Sequence, residues 1–294
     1  MTPPLPLWRR VLGQDRARER FESALARGRL GHAYLLTGPE GVGKALFAQG
    51  LAQRLLCRAK TAEPPCGACA DCRMAGANNH PDLLLIEVME GKQDISIKQV
   101  QEALLPFLTL RPMQGERRIV IVREAERLND ESGNALLKVL EEPPSFGMLL
   151  LTCSRPHALL STIRSRCQEV RFERLAPEHV ASILAKRPDL DPAVAAQAAR
   201  FSGGSAGRAV AMIENGSLTK YGTTIATVTC LPETDPFALA DDLAEWTRAK
   251  GKESDSGKAE AGREALRDYL RLLSCAYRDV LLRRLGAPPQ TLCQ

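Results

Sequence analysis

Five short apolar runs mark the first 172 residues: HAYLLTG at 32–38, LLLIEV at 83–88, RIVIV at 118–122, MLLLTC at 148–153 and QEVRF at 168–172. The first four are apolar at nearly every position, the pattern of strands covered on both faces in a parallel sheet. Segments of helical period separate them, as parallel strands require crossovers of a dozen residues or more. One such segment, QDRARERFESALAR at 14–27, sets Ala17, Phe21, Ala24 and Leu25 at three- and four-residue spacings, with Gly28 behind it as a stop. The pattern predicts an α/β domain with a parallel sheet over residues 1–173.

After Phe172 the strand pattern ceases. Residues 174–215 read as a small helical domain, with helices opening at Pro177, at Pro192 and after the turn-like FSGGS at 201–205. Helical patterns recur at 236–249 and 263–285, the second with Leu266, Leu270, Leu273, Tyr277, Val280 and Leu281 along one side. Residues 216–294 are therefore expected to form a third, all-helical domain. Between its helices RAKGKESDSGKAEAG, 248–262, has the charge, Gly and Ser content of a surface loop. No repeat of solenoid length is present.

Composition narrows this picture without changing it. At 294 residues, 44% apolar and 26% charged, the chain has ordinary globular usage and room for two or three domains. Its net charge of +5, from 40 basic and 35 acidic residues, makes no concentrated basic stripe, so nothing argues for DNA binding by this chain alone. The start MTPPLPLWRR offers no apolar leader core, and no apolar run has spanning length, so a cytoplasmic location without a membrane partner is expected. Nine cysteines, three in one tight cluster, suit a reducing compartment with a metal site and core thiols.

Two motifs carry chemistry. The first, GPEGVGK at 38–44, lies between a predicted strand and a predicted helix. In a phosphate-binding loop Gly38, Gly41 and Gly43 let backbone N–H groups converge on phosphate oxygens, and Lys44 reaches the β/γ phosphates. The next residue should be Ser or Thr, whose hydroxyl ligates Mg²⁺, but Ala45 has none. The second Mg²⁺ ligand should be an Asp at the end of a later strand. After RIVIV the chain has Arg123-Glu124, a positive charge where the cation belongs. Two losses point to a loop that does not support hydrolysis, with nucleotide and Mg²⁺ binding doubtful. The alternative is a working ATPase in which Glu124 or Glu126 holds the metal through water.

The second motif is Cys57-x8-Cys66-x2-Cys69-x2-Cys72, in a Pro- and Gly-rich insertion. Four thiolates at this spacing can close a tetrahedral shell around a structural Zn²⁺, leaving no position open for catalysis. They also suit an iron–sulfur cluster. By spacing alone, His80 of NNHPDL is an equal candidate for the fourth ligand, with Cys57 then a buried thiol. His32, His157 and His179 stand apart from any nucleophile pattern, and nothing local singles out Arg166.

Taken together, LGQDRARERFESAL, GRLGHAYLLTGPEGVGKALFAQGLAQRLLC, the Cys loop, NHPDL, RIVIVREAERLNDESGNALLKVLEEPP and STIRSRC resemble, in order, the clamp-loader family of bacterial DNA polymerase III. They cover most of residues 11–172. The resemblance implies an AAA+ P-loop domain with an inserted zinc module, a helical lid and a C-terminal helical collar. It implies Cys57, Cys66, Cys69 and Cys72 as the zinc ligands and Arg166 of the SRC segment as an arginine finger, offered in trans to ATP on a neighbouring subunit. Ala45 and Arg123 resemble the delta-prime branch, with degraded nucleotide motifs, more than the ATP-hydrolysing gamma/tau branch. Implied partners are the gamma/tau and delta subunits and, through the assembly, the sliding clamp and primed DNA. Arg208 in GGSAGRA resembles a sensor position of doubtful value beside an incompetent loop.

Overall fold

The structure, a computed structural model, describes residues 6–59, 64–218, 241, 244–246, 248–249 and 258–286. The chain divides into two compact units, Met1–Arg174 and Leu175–Gln294. In the first, strands β1 (Ala33–Thr37), β2 (Leu83–Ile86), β3 (Arg118–Val122), β4 (Gly147–Cys153) and β5 (Gln168–Arg171) form one parallel sheet in the order β2-β3-β4-β1-β5. The expected strands agree with these to within a residue or two. β1, β3 and β4 are buried along their whole length, whereas β2 and β5, at the edges, are partly open.

Alternation along the strands divides the apolar side chains between two cores. On one face Tyr34 and Leu36 of β1, Ile119 and Ile121 of β3, and Met148 and Leu150 of β4 meet Phe21 of helix α2 (Asp15–Ala26) and Phe47 and Leu51 of α3 (Lys44–Leu56). Phe21, Tyr34, Phe47 and Phe172 stack as tilted or edge-on neighbours 4.7–5.5 Å apart, adding to their area burial. On the other face Leu35, Val120, Val122, Leu149 and Leu151 pack on Leu104, Leu108, Leu136, Leu140 and Ile163. These come from a π-helical turn (Gln99–Leu104) running into α5 (Leu105–Thr109), from α6 (Asp130–Glu141) and from α7 (Ser161–Arg166). The remaining helices of this unit are α1 (Leu7–Arg10) and α4 (Ala70–Gly76).

In the second unit α8 (Pro177–Leu184), α9 (Pro192–Phe201) and α10 (Ala206–Glu214) open where the prolines and FSGGS predict, and bury Val180, Leu184, Ala198, Phe201 and Met212 together. Asp191 and Ser205 cap α9 and α10 through their side-chain oxygens. Helix α11 (Lys258–Arg284) starts inside the segment expected as a loop, so the helix is one turn or more longer than its apolar stripe. The rest of that loop and most of the helix expected at 236–249 lie outside the described residues. Among the described residues no helix is long and apolar enough to cross a membrane.

Candidate functional site

Both motifs are built on one helix. α3 begins at Lys44 in the glycine loop and ends at Cys57, its C-cap, in the cysteine module. Thirteen residues at 1.5 Å each separate the two by about 20 Å.

The glycine loop leaves the carboxyl end of β1. In a sheet of this order that is where the connection to the far edge strand opens a crevice. Gly38 has φ +146°, and a Cβ there would stand 2.3 Å from the Phe172 carbonyl oxygen, so only glycine lets the loop pass β5 this closely. Gly43 takes φ +99° as the N-cap of α3. Glu40, Gly41, Gly43, Lys44, Ala45, Arg123, Glu124, Thr152 and Ser154 line a cleft of about 250 Å³, below the ~300–1,000 Å³ of small-molecule sites. The tertiary fold thus brings Ala45 and Arg123 to one place.

Lys44 and Arg123 of that cleft both have partners within the protein. The Lys44 ammonium donates to the carbonyls of Gly38 (2.7 Å) and Pro39 (2.6 Å) and to Ser154 Oγ (2.9 Å). An ammonium has three donors, so all are engaged by the protein. Burial lowers the Lys44 pKa, and the Glu126 carboxylate offsets part of that. Glu126 Oε1 accepts the Ser154 N–H at 2.9 Å. Arg123 pairs with Glu87 at 3.0 Å. Glu124 sits at φ +50°, uncommon for a residue with a Cβ, with its N–H on Thr152 Oγ1 at 3.1 Å. Nucleotide with Mg²⁺ fits this arrangement poorly: no hydroxyl at position 45, a guanidinium at 123 and an engaged lysine.

At the other end of α3 the four cysteines converge. Cys57, Cys66, Cys69 and Cys72 bring their sulfurs within 4.8 Å of one another, with Cys57–Cys66, Cys57–Cys69 and Cys66–Cys72 separations of 3.8, 4.0 and 3.9 Å. A tetrahedron of 2.3 Å metal–sulfur bonds has edges of about 3.8 Å, whereas a disulfide needs about 2.05 Å. The cluster can hold a metal ion, and the donor set suits structural zinc. The N–H groups of Cys69 and Ala68 pull the Cys66 thiol down to about 6, whereas burial pushes the Cys69 and Cys72 thiols up. Gln53 and Gln49 of α3 dock the module by donating to the carbonyls of Cys72 (2.8 Å) and Gly76 (2.9 Å).

His80 is not among the converging ligands. Its Nδ1 accepts the Asp82 N–H at 3.0 Å, and Nε2 faces the Asp71 carboxylate at 3.5 Å. It belongs to a polar chain that the sequence reading missed. Asp71 takes two bonds from Arg58, at 3.0 and 3.1 Å. Asp82, fully buried, accepts the N–H groups of Met113, Gln114 and Gly115 at 2.6–2.8 Å and lies 3.8 Å from Arg118. The segment NHPDL held the signal: an Asp beside a strand start, where loop N–H groups need acceptors.

Arg166 ends α7. It pairs with Glu141 at 2.7 Å and donates to the Thr162 carbonyl at 3.2 Å. Arg208, in the second unit, donates to the Ser202 carbonyl at 3.2 Å.

A parallel sheet of this order, with a glycine loop after its inner strand β1 and an inserted four-cysteine module, defines an α/β domain of the P-loop class. The family model described as DNA polymerase III, delta subunit, matches residues 13–176, and the chain belongs to that family. DNA polymerase III subunit delta' of Pseudomonas aeruginosa is 42% identical over 136 residues, 46% of this chain and 41% of that protein. The subunit delta' of Bacillus subtilis is 34% identical over 183 residues, 62% and 54% of the two chains. Subunit gamma/tau of Mycobacterium tuberculosis is 33% identical over 200 residues, 66% of this chain and 34% of that one. The matched segment thus spans about half or less of these relatives.

Proposed function

We propose that this chain is a delta-prime-type subunit of a bacterial DNA polymerase III clamp loader that does not hydrolyse ATP itself. It completes the AAA+ assembly with gamma/tau and delta subunits in the cytoplasm and offers Arg166 to ATP held by a neighbour. Through the assembly it helps to place the sliding clamp on primed DNA. The observation that carries this reading is the cleft in which Ala45 and Arg123 meet while Lys44 is engaged by Gly38, Pro39 and Ser154. Family membership supports the setting. Residues 174–215 serve as the lid and 216–294 as the collar, with Zn²⁺ held by Cys57, Cys66, Cys69 and Cys72 as a structural ion.

An arginine presented in trans stabilises charge developing on the transferred phosphoryl group, worth ~10³–10⁵ in rate at the site it serves. The intact glycines, Lys44 and the match to gamma/tau relatives favour a second reading, an ATPase in its own right. Mg²⁺-dependent ATP hydrolysis by the purified chain separates the two. No turnover is expected, and activity that disappears in Lys44→Ala establishes the second. In the loader reconstituted from cognate subunits, Arg166→Ala is expected to depress DNA-stimulated ATP hydrolysis. An unchanged rate removes the finger role.

A further inference from the structure

We infer that Glu141 is a positioning residue for Arg166, fixing the direction of its guanidinium before the chain meets a neighbour; this rests on the finger role proposed above. Glu141 is the last residue of α6 and Arg166 the last of α7. Glu141 Oε1 stands 2.7 Å from Arg166 Nη2, and Nη1 donates to the Thr162 carbonyl one turn back at 3.2 Å. Two of the three guanidinium nitrogens are thereby held, one by each helix. An arginine side chain otherwise samples many rotamers, and that freedom would be lost only when it reaches the phosphoryl group.

The two helices that carry the pair are themselves fixed. Gly133 of α6 admits Leu160 at the N-cap of α7: a Cβ there would fall 2.7 Å from Leu160 Cδ1. Ile163 of α7 is fully buried against the same core as Leu136 and Leu140 of α6. The ion pair also separates Arg166 from its neighbour. Arg164 is exposed on the same short helix, and among the described residues no ion pair or hydrogen bond engages its side chain. With the partners 37% and 51% exposed, the pair is an exposed one. Pairs of that kind are weak, so Glu141 orients the arginine without locking it, and an effect of about two- to fivefold follows.

The test uses the full loader with this chain as wild type, Glu141→Ala, Glu141→Asp, Arg166→Ala and the Glu141→Ala/Arg166→Ala double variant. Glu141→Ala is expected to lower DNA-stimulated kcat about two- to fivefold with KM for ATP unchanged, because the arginine acts in the transition state. Glu141→Asp should recover most of the loss, and Glu141→Ala should add nothing in the Arg166→Ala background. A Glu141→Ala loader at or above the wild-type rate, beside a crippled Arg166→Ala loader, overturns the inference and leaves the finger reading intact. A double variant slower than Arg166→Ala also overturns it, since Glu141 would then act by another route. An Arg166→Ala loader at full rate removes both. Should Glu141→Ala fail to assemble, the isosteric Glu141→Gln takes its place with the same outcomes.

Discussion

The two ends of α3 treat their inherited donors in opposite ways. At the carboxyl end of the helix four sulfurs point at a common centre, and the groups around them, Gln53, Arg58, Asp71 and His80, hold the module from outside. At the amino end the Lys44 ammonium turns inward, onto two loop carbonyls and a serine. The first arrangement is one that can hold a metal ion. In the second, the Lys44 ammonium is engaged by protein atoms.

The comparison breaks first at the metal. Cys72→Ser, or a strong chelator on the wild type, is expected to remove stoichiometric zinc, read by elemental analysis. The first unit should lose several kcal/mol of unfolding free energy, a fraction of the ~10–16 kcal/mol seen in small zinc peptides. Unchanged stability without metal would mean that the polar chain alone holds the module.

Asp82→Asn sharpens that division. Burial pushes the Asp82 carboxyl up, but the N–H groups of Met113, Gly115 and Gln114 and the Arg118 guanidinium outweigh it and hold the carboxyl below its ordinary range. With the folded value depressed, the stabilisation is complete above the unfolded pKa of about 3.9 and disappears as pH falls through the lower folded value. Removing the charge should cost ~2–4 kcal/mol at pH 7 in urea unfolding. The gap from wild type should close in strong acid.

The smallest effect is expected in the cleft. Lys44→Met removes a buried charge together with its three hydrogen bonds, and the two losses nearly cancel, leaving stability within about 1 kcal/mol of wild type. Thermal melting with and without ATP and Mg²⁺ checks this. Neither protein should shift with nucleotide, and a shift in the wild type alone would show that Lys44 still reaches phosphate.

Much of the frame was legible in the sequence because it rests on short-range pattern. Short continuous apolar runs such as RIVIV and MLLLTC, five or six residues long and set between helical segments, suit strands covered on both faces. Pro177 and Pro192 start helices where they stand because a proline fits the first turn. The cysteine spacing is equally local and marked the metal-type cluster, while the choice of Cys57 over His80 came from the family resemblance and agrees with the four sulfurs that converge. His80 was the exception. Its position suited a fourth ligand, but an imidazole also satisfies backbone and carboxylate groups, and here it takes the Asp82 N–H and faces the Asp71 carboxylate, a choice that spacing alone does not make.

The partners of Glu87, Glu126 and Glu141 could not be read at all. Each glutamate acts through a partner 28 to 36 positions away or across a helix pair: Arg123, Ser154 and Arg166. The sequence by itself determined the alternating elements, the glycine loop with its missing hydroxyl and a cysteine-rich insertion of metal-ligand spacing, since each depends on residues within one turn, strand or loop. Only the tertiary structure decided that Ala45 and Arg123 share a cleft, that Lys44 is engaged from within, and that Arg166 pairs with Glu141. Those outcomes depend on which side chains the β2-β3-β4-β1-β5 order and the helix packing bring within hydrogen-bonding distance, and no local pattern encodes that.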